Sequence, residues 1–402
     1  MRVLQLCNKP PYPPVDGGTL AMNCITSGLL ASGHSVKVLS VESDKHKVNP
    51  RLITDNYATA TNFESVYIDL NIHVTSAFIA WLAGESYNVK RFRSKKFNAK
   101  LIEILKNNTF DIVHVESLFL TPYLPTIRQY SKAKVILRSH NVEHLIWQRL
   151  LKSVHNPLKQ KYLKHLTLAL KNYELSHIND YDGIVCITRK DMDYFLEKGC
   201  SKPIAAIPFG IDYIDDIEYA QEEDNSLFHI GSMDWQPNKE GISWFLSDVW
   251  DEIHKNIPQA RLYLAGRKMP QKLLKAHFPN VSIIGEIPDS MYFIASKKIN
   301  IVPLLSGSGI RVKIIEAMSA GKVVISTSIG AEGINYSDGV NILIANTPQE
   351  FVNQIKRCLD SPDLCRTIGD NARRLIKEEY STSKTTAELT EFYEKIRRNG
   401  QN

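Results

Sequence analysis

The feature that most constrains the fold is a repeated alternation. Short apolar runs end in Gly, Pro or a polar residue, and each is followed by a segment with helical spacing. Parallel strands cannot be joined by two-residue turns and need long crossovers, so this rhythm predicts the α/β class with parallel sheets. The expected strands are Arg2–Cys7, Ser35–Val41, Asp111–Val115, Lys134–Arg138 and Gly183–Thr188, then Leu227–Gly231, Ala260–Ala265, Val281–Gly285, Asn300–Pro303 and Val323–Ser326. The same architecture therefore occurs twice. A chain of 402 residues exceeds what one hydrophobic core normally serves, which agrees with two domains. Ala205–Asp212 reads as a strand running into a Pro/Gly turn, and Tyr213–Asn225 is acidic and poor in large aliphatics. The expected domains are residues 1–212 and 213–380. Residues 381–402 form a closing helix, with Leu389, Phe392, Tyr393 and Ile396 on one stripe. That helix packs either on the second domain alone or back onto the first.

Several classes are excluded. No apolar run approaches the roughly 18–20 residues that span a bilayer. The apolar stretch in Met1–Pro10 is too short for a secretory leader and reads as a buried strand. The six cysteines show no C-x-x-C spacing, which predicts reduced thiols and a cytoplasmic protein. Charge is uneven. Up to residue 212 there are 27 Lys and Arg against 18 Asp and Glu, a balance of +9, whereas the remainder carries −3. The basic half is either an ordinary solvated surface or meets an anionic partner. Within it, Lys90, Arg91, Arg93, Lys95 and Lys96 alternate with Tyr87, Phe92 and Phe97, after the apolar stretch Val74–Ala83. That segment is either a solvated helix face or a contact for an acceptor or for the inner face of an anionic membrane. No nucleic-acid motif accompanies it.

Four segments carry candidate chemistry. Gly17-Gly18 follows the first strand and opens the next helix, where amides attract anions or merely close a tight turn. The spacing is not the dinucleotide fingerprint, so a nicotinamide cofactor is not supported. Arg138-Ser-His140-Asn-Val-Glu143-His144 ends a strand, the position of ligand crevices in open α/β sheets. His140 there hydrogen-bonds a substrate or serves the structure; a metal site would need His140 and His144 on one helix face. Gly231-Ser232 ends the first strand of the second half and offers amides to a diphosphate. The strongest segment is Ser306-Gly-Ser308-Gly309-Ile-Arg311-Val-Lys313-Ile-Ile-Glu316. A glycine loop followed by two cations at a helix start favours an anion, because the macrodipole otherwise disfavours positive charge there. Glu316 accepts hydrogen bonds from vicinal hydroxyls, or pairs with Lys313 at i, i+3.

Taken in order, these pieces resemble the retaining glycosyltransferases of family 4, with the GT-B fold. The resemblance rests on Pro13-Pro14…Gly17-Gly18, Gly33-His34-Ser-Val36, Asp111-Ile-Val-His114-Val-Glu116, Arg138-Ser-His140, Pro208-Phe-Gly210-Ile-Asp212, Gly231-Ser-Met-Asp-Trp235…Pro237-Asn238 and Gly309-Ile-Arg311-Val-Lys313-Ile-Ile-Glu316. It implies two Rossmann-like domains facing a central cleft, the first for the acceptor and the second for a nucleotide-sugar donor, UDP-sugar being favoured. It implies retention of anomeric configuration, no cofactor and no metal. His140 matches the histidine near the donor sugar, and Glu316 the second glutamate of the Glu–seven residues–Glu motif, which binds ribose. The first glutamate is replaced by Ser308, and Ser232 stands where the family's phosphate-binding Arg is usual, so Arg311 and Lys313 are expected to take the diphosphate. The implied acceptor is a glycan or lipid-linked glycan of polysaccharide assembly. Two alternatives are a nucleotide-sugar epimerase of the same fold and a non-catalytic nucleotide-sugar-binding protein.

Overall fold

The structure, a computed structural model, describes residues 1–152, 154, 156–211, 221–307 and 309–398. It divides into two compact units, Met1–Gly210 with Thr382–Asn402, and Ile211–Ser381. The expected boundary segment lies largely outside the described residues.

The first unit holds a seven-stranded parallel sheet in the order β3-β2-β1-β4-β5-β6-β7. The strands are β1 (Arg2–Cys7), β2 (Ser35–Glu42), β3 (Glu64–Tyr67), β4 (Ile112–Val115), β5 (Lys134–Ser139), β6 (Gly183–Cys186) and β7 (Ile204–Ala206). Alternate residues serve two cores. Leu4, Leu6, Val113, Val115, Val135 and Leu137 face one side, and Val3, Val36, Val38, Ile112, Ile136 and Val185 the other. A sheet covered on both faces reads as continuous apolar runs, which is why these strands were visible in the sequence. The short, half-buried β3 lacks such a run and was not expected.

The second unit holds a six-stranded parallel sheet, β10-β9-β8-β11-β12-β13. Its strands are β8 (Ser226–Ile230), β9 (Arg261–Ala265), β10 (Val281–Gly285), β11 (Ile299–Val302), β12 (Val323–Ser326) and β13 (Leu343–Ile344). Its core gathers around Trp250, Phe245 and Phe351.

The last helix, Thr382–Arg398, packs within the first unit. Leu389, Phe392, Tyr393 and Ile396 join the core beneath β1, β4 and β5. Close approach is possible because glycines lie under it. A Cβ at Gly28 would collide with the Thr386 side chain, and one at Gly183 with Ile396. Each large apolar side chain so buried contributes about 1.5–3 kcal/mol toward holding the helix there.

Candidate functional site

In open parallel sheets, crevices form at the carboxyl ends of strands where the strand order reverses. In the first sheet that reversal lies between β1 and β4, and in the second between β8 and β11. Most of the candidate residues lie just beyond these strands or the next one over, so each unit is described in turn.

In the first unit, His140 follows β5 and its Nε2 lies 2.9 Å from Glu116 Oε2. Glu116 follows β4 and is fully buried. Its other oxygen accepts a 2.6 Å hydrogen bond from Gln5 Nε2, and Gln5 in turn accepts one from Thr26 Oγ1 at 2.6 Å. His114 Nε2 is 3.2 Å from Glu116 Oε1, too oblique for a hydrogen bond. Burial alone would raise the Glu116 pKa, but His114 and His140 together hold it well below the usual carboxylate range. Glu116 is therefore an acceptor, and His140 donates Nε2–H to it. His140 Nδ1 has no partner among the described residues and is left for a ligand. The network extends to the last helix, where Tyr393 Oη lies 2.5 Å from His114 Nδ1. Burial, and then the nearby Glu116 charge, push the Tyr393 pKa up, so the phenol stays neutral and donates. The adjacent Arg138 is fully buried and donates Nη1–H to Ile207 O at 2.6 Å. His144 does not share a site with His140. Its Nδ1 pairs with Glu174 at 2.6 Å and its Nε2 with the Tyr194 hydroxyl at 2.8 Å.

Gly17 and Gly18 occupy the first two positions of the helix Gly17–Ala31, capped by Asp16, whose side chain accepts from Thr19 N. Their amides have no acceptor among the described residues. Lys9 Nζ forms a 2.7 Å ion pair with Asp16. A Cβ at Gly18 would sit 2.9 Å from that ammonium, so glycine lets the Lys9–Asp16 pair lie against the helix start.

In the second unit, Lys313 is the second residue of the helix Val312–Ser319. Its Nζ donates to Asn238 Oδ1 at 2.7 Å and lies 3.1 Å from His229 Nε2. The His229 tautomer follows from its other contact. Nδ1 is 2.8 Å from the Ile301 carbonyl and must carry the proton, so Nε2 accepts from Lys313. Burial, then the charge of Lys313, keep His229 neutral. Lys313 is partly exposed as a residue, yet desolvation and Arg311 bring its pKa down to about 7, with Glu316 opposing. Burial raises the Glu316 pKa, which Lys313 partly offsets. No Lys313–Glu316 ion pair forms, and the Glu316 carboxylate has no hydrogen bond among the described residues. Arg311 is buried rather than open at the helix tip. Its guanidinium donates to the carbonyls of Gly309 and Ile329 and lies 5.3 Å from the centre of the Trp235 ring.

One expectation is corrected here. The Gly231 amide donates to Ala265 O at 3.1 Å, continuing the β8–β9 pairing, and is not available to a diphosphate. Gly231 matters for another reason: a Cβ there would lie 2.5 Å from Lys313 Nζ and 2.7 Å from Asn238 Nδ2. The Ser232 hydroxyl donates to Asp234 at 2.6 Å. Gly309 has φ +78°, a conformation that suits glycine. Ser308 lies outside the described residues.

The basic–aromatic segment is also different from its reading in sequence. Tyr87, Phe92 and Phe97 are buried, so no interleaved surface exists. Lys90 and Arg93 approach Glu85 at 2.5 and 3.6 Å, and Arg91 donates to Leu70 O at 3.3 Å. Lys95 and Lys96 are exposed at a helix start. Among the described residues, no three His, Cys, Asp or Glu side chains gather to hold a metal ion, and no helix is long and apolar enough to cross a membrane. All six cysteines are buried thiols.

Two family profiles match the chain. Glycosyltransferase Family 4 covers residues 17–213 and Glycosyl transferases group 1 covers residues 224–361, together most of its length. The chain belongs to the family 4 glycosyltransferases. Solved structures share the GT-B fold of this glycosyltransferase. HepE of Anabaena, solved with UDP, has a TM-score of 0.69 at 14% identity, covering 98% of this chain and 100% of that one. Sucrose-phosphate synthase of Thermosynechococcus elongatus has a TM-score of 0.69 at 16% identity, covering 99% and 100%. In sequence, an uncharacterized 44.6 kDa protein of the cps region of Klebsiella pneumoniae is 25% identical over 96% of this chain and 98% of its own. Three residues that contact the candidates carried no assigned role in the sequence: Glu116, His229 and Asn238. The usable signal was a polar residue at the end of, or inside, an apolar strand, as in Leu-Phe-His229-Ile and Val-His-Val-Glu116.

Proposed function

We propose that the protein transfers a sugar, with retention, from a nucleotide-diphosphate sugar to a glycan or lipid-linked acceptor in polysaccharide assembly. The observation that carries this reading is Lys313. An ammonium held by a neutral histidine and an amide, with its pKa down to about 7, has no ion-pair partner among the described residues and lies at the reversal point of a parallel sheet. A diphosphate supplies that charge without a metal. Glu316, an acceptor whose carboxylate has no hydrogen bond among the described residues, suits the ribose hydroxyls. HepE, crystallised with UDP, and the relative in a cps region support a UDP-sugar donor and a polysaccharide product.

Each residue has a separate part. Lys313 stabilises the leaving diphosphate electrostatically, with Arg311 raising the local positive potential from behind. The Gly17 and Gly18 amides are donors suited to an anion. His140, fixed by Glu116, presents Nδ1 to the donor sugar or its phosphate and steadies the oxocarbenium-like transition state. A donor phosphate oxygen takes the acceptor proton on the same face. The transferred group is a hexosyl or N-acetylhexosaminyl unit, and chelators leave activity unchanged.

The test is a thermal-shift screen against UDP-, GDP-, ADP- and CDP-sugars, followed by a transfer assay with the donor that stabilises. Saturation at 100 times Kd adds about 2.7 kcal/mol. His140→Ala is expected to cut turnover about 10²-fold or more while the thermal shift persists. Isomerisation of the donor without an acceptor identifies an epimerase instead, and a shift with neither hydrolysis nor transfer a binding protein.

A further inference from the structure

The helix Val74–Leu82 is turned inside out. Its sequence, Val-Thr-Ser-Ala-Phe-Ile-Ala-Trp-Leu, carries no charge. The residues it buries are the small ones, Ala77 and Ala80, which pack with Leu163 and Leu166 of the helix Pro157–His177. The large side chains point outward, with Val74 79%, Phe78 54%, Ile79 57% and Leu82 67% exposed. A surface helix of a soluble protein normally does the reverse, and a contiguous apolar face of this kind marks a contact with lipid or protein.

The surroundings select the partner. Trp81 lies between Phe78, tilted against it at 5.7 Å, and His165, edge-on at 5.8 Å, which joins this face to the helix Pro157–His177. That helix carries Lys159, Lys161 and Lys164, all exposed, and has no carboxylate from Pro157 to Tyr173. None of the three lysines makes an ion pair among the described residues. Trp81 and Tyr162 are amphipathic rings at the border between apolar and basic zones, the place such rings take at a headgroup boundary. A second copy of the chain is a poor occupant. An isologous contact would set these lysines against their own symmetry mates.

We propose that this face seats on the anionic surface of a lipid bilayer, with Phe78, Ile79 and Leu82 entering the acyl boundary and Lys159, Lys161 and Lys164 meeting headgroup phosphates. The helix lies in the interface and does not cross it. This assignment is independent of the sugar-transfer reading, and it rests on the helices Val74–Leu82 and Pro157–His177 rather than on Lys90–Lys96.

The full chain is tested by flotation with vesicles of phosphatidylcholine alone and of phosphatidylcholine with phosphatidylglycerol. The wild type is expected to float with the anionic vesicles and to lose binding as salt rises. The double variant Phe78→Ser/Ile79→Ser is expected to bind at least tenfold more weakly, with an unchanged circular dichroism spectrum. The triple variant Lys159→Gln/Lys161→Gln/Lys164→Gln is expected to lose about fivefold per lysine on anionic vesicles only. The triple variant alters exposed side chains alone, so the test survives if the double variant does not fold. Three results overturn the proposal: no wild-type binding to anionic vesicles, wild-type binding indifferent to phosphatidylglycerol, or both variants binding like the wild type. Self-association in sedimentation that Phe78→Ser/Ile79→Ser abolishes assigns the face to a second copy and overturns it as well.

Discussion

Lys313 gives a donor affinity whose pH dependence can be worked out in advance. In the free protein its pKa is about 7, because desolvation and Arg311 outweigh Glu316. A bound diphosphate replaces the missing counter-charge and raises that pKa. Below pH 7 the amine is already protonated, so affinity is flat. Above pH 7 binding must draw in a proton, and affinity falls tenfold per pH unit until the pKa of the complex is reached. Between pH 7 and pH 8.5 the loss is about sixteenfold, or ~1.6 kcal/mol. A UDP-sugar is the right ligand because its diphosphate does not titrate in this range. Calorimetry in buffers of different ionisation enthalpy reads both the affinity and the proton uptake, expected to approach one proton at pH 8.5. Lys313→Met should bind weakly with no slope in pH. The same logic sets the sign for stability. The folded pKa lies below the unfolded value, so between pH 7 and pH 10.5 the unfolded chain holds more protons and the Lys313 contribution rises with pH. A wild-type affinity that is level from pH 6 to pH 8.5, or binding without proton uptake, refutes the placement of the diphosphate on Lys313.

Other outcomes follow from the geometry. Glu116→Gln keeps the shape but removes the charge that orients His140, so turnover should fall about tenfold or more and its pH profile should shift, whereas KM for the donor stays within a few fold. Because the Glu116 pKa is depressed in the fold, its stabilisation is complete above its unfolded value of 4.5 and is lost as pH falls below it, to be read in acid unfolding of wild type against Glu116→Gln. Tyr393→Phe strands His114 Nδ1 in the core and should cost about 1–3 kcal/mol in urea unfolding. Gly28→Ala drives a methyl into Thr386 and should cost about 1–3 kcal/mol, with earlier proteolysis of the last helix as a second readout. Gly231→Ala displaces the Lys313 ammonium and should abolish the thermal shift by donor while the circular dichroism spectrum is retained.

Much of the fold was legible because both sheets are covered on two faces. Strands such as Val135–Leu137 and Val323–Ile325 are unbroken apolar runs, and periodicity finds them without knowing their neighbours. The half-buried β3 and the two-residue β13 carry no such signal and emerged only from pairing. The chain order of glycine loops, His140, Lys313 and Glu316 was equally readable, since each stands at a strand end or in the loop and helix that follow one. Their chemistry was not. That Arg311 turns inward to the Ile329 carbonyl, that the Gly231 amide is taken by Ala265 O, and that a neutral His229 accepts from Lys313 depend on contacts across 18 to 84 residues of chain.

What the sequence determined by itself was local: where backbone extends, where it turns, and which face of each helix is apolar. An apolar stripe says that a surface must be covered and leaves the cover unspecified. Only the tertiary structure decided that the stripe of Leu389, Phe392, Tyr393 and Ile396 is covered by the first unit, while the apolar residues of Val74–Leu82 are left to the outside. The reason is that burial and hydrogen-bond partnership belong to pairs of segments, and a pair distant along the chain has no signature in either member alone.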